Sequence, residues 1–198
     1  MKRFIVLISI LLTAITATAQ ISTYTTKIGN FNGLVKSVIS NGDFGATIDY
    51  FNSDGTIQKS ISSAKDQYVV FEWTENIITQ KFYNTTDDSF VGESKLEYSK
   101  SENGFTVSID KFGKFQWNFD ESSLTSMAAN GIVQWIMKTE DKTQEGYNSV
   151  MYAANGAQFS KTSTKTYDPD QHGNFTRLVT VAHDGSEHEI NVSYEYYE

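Results

Sequence analysis

Phe105-Thr106-Val107-Ser108-Ile109 and Phe115-Gln116-Trp117-Asn118-Phe119 decide how this chain folds. In each, apolar residues alternate with polar ones at a period of two. A strand points successive side chains to opposite faces. Both segments therefore read as strands with one aromatic or aliphatic buried face and one face of Thr, Ser, Gln and Asn. Slipping the pairing by one residue would move Phe115, Trp117 and Phe119 into water together, so the register is strongly specified. Ile190-Asn191-Val192-Ser193-Tyr194-Glu195-Tyr196 repeats the alternation. One buried face per strand is the mark of an antiparallel sheet.

Turn signals separate such runs. Asn52-Ser53-Asp54-Gly55, Glu102-Asn103-Gly104, Asn130-Gly131, Asn155-Gly156 and Asp170-Gln171-His172-Gly173 close them, and Asn32-Gly33 and Asn41-Gly42 add two near the start. Asn-Gly and Asp-Gly supply the positive φ that tight hairpins demand. Asp120 to Ala129 reads either as a strand before the Asn130-Gly131 turn or as a short helix capped by Asp120. Tyr194 to Glu198 reads as a terminal or edge strand, with Glu195 and Glu198 discouraging edge-to-edge pairing. One proline and 14% aromatic residues exclude a disordered chain. The expected fold is all-β: antiparallel hairpin repeats forming a twisted sheet that curls on itself or closes into a barrel.

The N-terminus assigns a compartment. Met1-Lys2-Arg3 is followed by the apolar run Phe4–Leu12 and by small residues ending Ala17-Thr18-Ala19. That order matches a signal peptide, 1–19, cleaved between Ala19 and Gln20. The run is too short for a transmembrane anchor, which needs about 20 apolar residues. With no cysteine in the chain, a lipid anchor has no attachment point. Residues 20–198 are read as a single domain, periplasmic or secreted. Cleavage shifts the net charge from −8 to −10, because Lys2 and Arg3 leave and no acid does. Such a surface disfavours nucleic acid and anionic lipid as partners.

The hairpins also recur. Tyr50-Phe51-Asn52-Ser53-Asp54-Gly55-Thr56-Ile57-Gln58-Lys59 matches Tyr167-Asp168-Pro169-Asp170-Gln171-His172-Gly173-Asn174-Phe175-Thr176-Arg177 as tyrosine, polar loop, glycine, then x-apolar-x-basic. Tyr98 to Val107 and Tyr152 to Lys161 are looser copies. Units of this kind bury their faces on their neighbours. Tyr167-Asp168 followed by Gly173-Asn174 resembles a YD repeat, the motif of Rhs-type and related small secreted bacterial proteins. Tyr50 to Lys59 is similar, with Phe51 in place of the aspartate. The resemblance implies β-hairpin arrays with no established active site.

Candidates for chemistry are few. Asp168-Pro169-Asp170-Gln171-His172-Gly173 begins like a calcium loop, but an EF-hand needs a glutamate at position twelve, where Val179 stands. His183-Asp184-Gly185-Ser186-Glu187-His188-Glu189 gathers metal-ligating types around a hairpin turn, whereas a zinc site needs convergent, supported ligands. No Gly-x-Ser-x-Gly, His-Glu-x-x-His or phosphate-loop pattern is present. Trp73, Trp117 and Trp135 lie in apolar runs and read as core rather than as sugar platforms. The expected function is an exported, non-enzymatic binding or structural module, with no catalytic or metal residues, no cofactor, and a protein or glycan partner. The alternatives are a barrel carrier of a small hydrophobic ligand and an extracellular hydrolase.

Overall fold

The computed structural model describes residues 31–43, 45–101, 104–110, 114–120, 124–143, 145–182 and 184–198. The signal peptide, its cleavage site and His183 lie outside the described residues. All regular structure in the described residues is β-strand: β1 Val35–Gly42, β2 Gly45–Phe51, β3 Ile57–Ser62, β4 Gln67–Trp73, β5 Ile77–Asn84, β6 Phe90–Ser101, β7 Gly104–Asp110, β8 Lys114–Asp120, β9 Leu124–Ala129, β10 Ile132–Thr143, β11 Gly146–Ala153, β12 Gln158–Pro169, β13 Phe175–Val181 and β14 Glu187–Tyr196. Each strand pairs antiparallel with its neighbours in sequence, and β14 pairs with β1 to close a barrel. The choice between curled sheet and barrel is thus settled for the barrel. β14 is the last strand but not an edge: Glu195 reaches Lys36 of β1 at 2.6 Å instead of guarding a free margin. Residues 124–129 are strand, not helix, because Met127 pairs with Trp117 on one side and Trp135 on the other.

Four hairpins use one backbone device. In residues 52–56, 153–157, 170–174 and 182–186, the first N–H donates to the fifth carbonyl, at 2.8–2.9 Å, and the glycine N–H at position four donates to the first carbonyl, at 2.8–3.0 Å. The four glycines hold φ of 81–85°, the left-handed region that a β-carbon disfavours. In three of the four, Asp54, Asn155 or Asp184 accepts the N–H two residues on, at 2.9–3.0 Å. Three of the polar-Gly signals in the sequence, at Gly55, Gly156 and Gly173, are this turn. Asn130-Gly131 is a two-residue turn with both φ positive, Asn41-Gly42 is not a turn but the paired end of β1, and Glu102-Asn103 lies outside the described residues.

The inward positions follow from period two. Eight strands make an interior that side chains just fill, and interior width grows with strand number. Fourteen strands enclose a wider interior, and large aromatic side chains line much of its wall. Phe51, Phe71, Phe105, Trp117, Phe119 and Trp135 are all buried in one apolar cluster with Val38, Ile57, Ile78, Val107, Met127 and Val192. Phe105 stacks on Phe119 at 4.6 Å between centroids. This cluster runs from β14 through β1 and round to β10. β11 and β13 still pack Met151 and Leu178 against it, but on β12 the character changes: Thr164 and Thr166 are its buried residues, and Thr164 Oγ1 lies 3.3 Å from Thr180 Oγ1.

Candidate ligand-binding surface

Two clefts among the described residues lie along β10–β14. One, of ≈ 420 Å³, opens on the outward face of β12–β14 and is lined by Asp43, Lys165, Tyr167, Arg177, Val179, Val181, Glu187 and Glu189. The other, of ≈ 580 Å³, lies along β10–β12 from Asp141 and Thr143 through Tyr147 and Asn148 to Ser163 and Thr166, and it shares Lys165 and Tyr167 with the first. These two residues form a ridge between the clefts.

Local sequence builds the ridge. The spacing from Tyr167 across the Gly173 turn to Arg177 makes the two residues direct cross-strand partners. The guanidinium then lies 4.8 Å from the tyrosine ring centroid, a favourable cation–π placement. Arg177 Nε also meets Glu189 of β14 at 3.2 Å. Tyr167 keeps 36% of its surface exposed. The outward partner of Lys165 on β13 is Val179, so an apolar floor runs beneath two flanks of charge. Nearby, His188 Nδ1 lies 2.9 Å from Asp43 Oδ2. Of the turn that carries the second metal-like cluster, Asp184 Oδ1 accepts Ser186 N and Oγ, so that aspartate shapes the hairpin.

The calcium-like stretch is a latch instead. Asp170 Oδ1 accepts the N–H groups of His172 and Asn174, each at 2.9 Å. Its other oxygen accepts the Tyr196 hydroxyl. Asn174, 3% exposed, donates to the Asn32 carbonyl at 2.8 Å and to Tyr196 Oη at 2.6 Å, and accepts the Asn32 N–H at 2.7 Å. The His172 ring lies 3.9 Å from that of Tyr196. Phe31 meets Phe51 and Tyr194 edge-on, at 6.1 and 5.5 Å. The residues that the sequence offered as ligands therefore fasten the start of the described chain to its last strand. Among the described residues no group of three or more His, Asp or Glu side chains could hold a metal ion. Trp117 and Trp135 are buried in the core, and Trp73 is half-buried with Nε1 donating to the Ile57 carbonyl at 2.8 Å.

Asn174→Ala removes three side-chain hydrogen bonds and strands the Asn32 amide in a partly buried site. We expect a loss of about 2–4 kcal/mol in urea melts; a loss under about 0.5 kcal/mol would show that the seam holds without it. The latch also titrates. Burial, then the bond to Asp170, pushes the Tyr196 hydroxyl up to about 12. The folded state thus keeps a proton that the unfolded chain releases near pH 10. The stabilisation is complete below about pH 10 and is lost as pH rises through 12. Melting temperature should fall across that window, and Tyr196→Phe should reduce the dependence. Burial raises the Asp170 carboxyl, but the bonds from Tyr196, Asn174 and His172 outweigh it and hold the group below the usual carboxylate value. Its contribution is lost in acid, below about pH 4.

Sought among family models, curated proteins and solved structures, no match to this chain was found.

Proposed function

We propose that this chain is an exported, non-enzymatic binding module whose ligand sits on the outward face of β11–β14. The observation that carries the reading is the convergence of two clefts on Lys165 and Tyr167. Tyrosine and arginine are enriched where proteins recognise partners, and Tyr167 and Arg177 stand together on this ridge. Export follows from the Lys2-Arg3, Phe4–Leu12, Ala17-Thr18-Ala19 order. The outward side chains of β4–β6 include Glu72, Lys81, Glu93, Lys95 and Glu97, with Lys81 and Glu72 paired at 2.5 Å. A lipid-facing barrel wall needs apolar residues at such positions, which supports an aqueous setting. A non-enzymatic role is supported by the work the polar groups already do: Asp170, Asn174 and Tyr196 close the seam, and Asp43 meets His188.

A second reading, a carrier of a small hydrophobe, is favoured by one atom. Trp117 Nε1 is buried on the aromatic inner wall without a hydrogen-bond partner. A ligand acceptor inside the barrel would satisfy it.

Native mass spectrometry of the protein recovered from its own host tests these readings. A mature mass starting at Gln20, with a ligand whose binding protects β11–β14 amides from hydrogen exchange, supports the module. Protection confined to the inward residues around Trp117 supports the carrier. Turnover of an extracellular polymer by the purified chain would overturn both.

A further inference from the structure

We infer that the ligand of the Lys165–Tyr167 ridge is a neutral, hydroxyl-rich saccharide; this rests on the binding-module reading above. Three features of the surface select it.

The first is charge. Asp43, Glu187 and Glu189 line one cleft and Asp141 and Glu145 the other, against Lys165 and Arg177 alone. Carboxylates in excess repel a phosphate or uronate chain. They also accept hydrogen bonds from sugar hydroxyls without needing an opposite charge. Arg177 is already engaged by Glu189. The side chain of Lys165, by contrast, makes no ion pair or hydrogen bond among the described residues. Its three donors stand free at the centre of the ridge to meet hydroxyl or ring oxygens.

The second is the apolar share. Beside the exposed Tyr167 ring, the smaller cleft offers Val179 and Val181 as floor. That is too little to hold a lipid. One face of the Tyr167 ring carries the Arg177 guanidinium, so the aromatic surface suits the C–H face of one pyranose ring laid against its exposed side. Tyr147 and Ser163 continue from the ridge along the larger cleft, together with the Asn148–Asp141 pair, whose 2.9 Å bond from Asn148 Nδ2 leaves carboxylate and amide oxygens to accept from hydroxyls. The recognised segment is therefore more than one sugar long.

The third is closure. A peptide commonly docks on a sheet by adding a strand to a free edge. Pairing of β1 with β14 leaves the barrel no such edge, so the outward face must recognise its ligand by side chains.

The test is calorimetric titration of the mature protein with four probes: neutral hexasaccharides of glucose, of mannose and of galactose, and a galacturonate hexamer. We expect one neutral probe to bind, with little change between 20 mM and 500 mM salt. Tyr167→Ala should weaken it by about tenfold or more, and Lys165→Met by about threefold. Both residues are exposed, and unchanged melting curves will confirm that the variants fold. Binding of the galacturonate alone, strengthened at low salt, overturns the neutral saccharide but keeps the ridge as the site. Neutral binding indifferent to both substitutions overturns the site. No binding by any probe at millimolar concentration overturns the saccharide, and a host-derived ligand that protects β11–β14 would then leave the module reading intact.

Discussion

Trp117→Ala should destabilise the barrel by about 3–5 kcal/mol, as deletion of a buried tryptophan does elsewhere. Trp117 is 9% exposed at the centre of the most aromatic part of the wall. It pairs with Val107 on β7 and Met127 on β9, and Phe115 lies 6.4 Å from it between centroids. An alanine leaves a hole bordered by three strands, and strands tied on both sides cannot collapse into it. Trp117→Phe should behave differently. It keeps an aromatic filler and removes an indole N–H that is buried without a partner. An unsatisfied buried donor costs about 1–3 kcal/mol, which offsets much of the lost volume. We expect a net change within about 1.5 kcal/mol of zero. Urea melts of both variants decide the matter. A large loss for both would mean that the indole N–H has a partner in solution, and a ligand or water inside the barrel would be the first place to look.

What the sequence discloses about this protein is what is local to a hairpin. Alternation places Phe115, Trp117 and Phe119 on one face because the period of a strand is two. The Tyr167-to-Arg177 spacing carries more than a repeat: with the turn between them, it makes the two residues cross-strand partners, as Tyr50 and Lys59 also are. In the second case the lysine leans instead over Tyr68 of β4, 4.0 Å from its ring centroid. The pattern therefore encodes a basic residue opposite a tyrosine, and the neighbouring strand decides which ring it meets. Closure is not local. It depends on the number of strands and on pairing between β1 and β14, across a register shift at Val35–Ser37. The latch is equally distant in sequence, since Asn174 meets Asn32 across 142 residues. Read in isolation, Asp168 to Gly173 offered oxygen ligands. In the barrel, Asp170 turns those oxygens to its own turn and to Tyr196. The clefts were hidden for a related reason. Lys165, Val179 and Glu189 are ordinary outward strand positions, and only their order around the barrel brings them together.

Gly146→Ala should be the most damaging substitution near the clefts, because the obstacle is backbone. Gly146 opens β11 at φ +151°, and a β-carbon there would lie 2.1 Å from the Thr164 carbonyl oxygen and 3.1 Å from Lys165 Cα. Gly45 makes the instructive contrast. Its β-carbon would meet Ser63 Oγ at 2.6 Å, a side-chain atom that can rotate away at the cost of its bond from Ala46 N. No rotation relieves Gly146. Strand β11 must move off β12, and the bond from Thr166 N to the Glu145 carbonyl, 3.0 Å long, lies beside the contact. Backbone strain and overpacking each cost about 1–3 kcal/mol, so we expect a loss of about 3 kcal/mol or more, against about 1–2 kcal/mol for Gly45→Ala. The displaced segment also walls the larger cleft, through Glu145, Gly146 and Tyr147. Ligand binding should therefore fall with stability. Measured at a temperature where the variant is still folded, binding that survives would assign the ligand to the smaller cleft over β12–β14; binding that disappears would assign it to the span of both clefts across Lys165 and Tyr167.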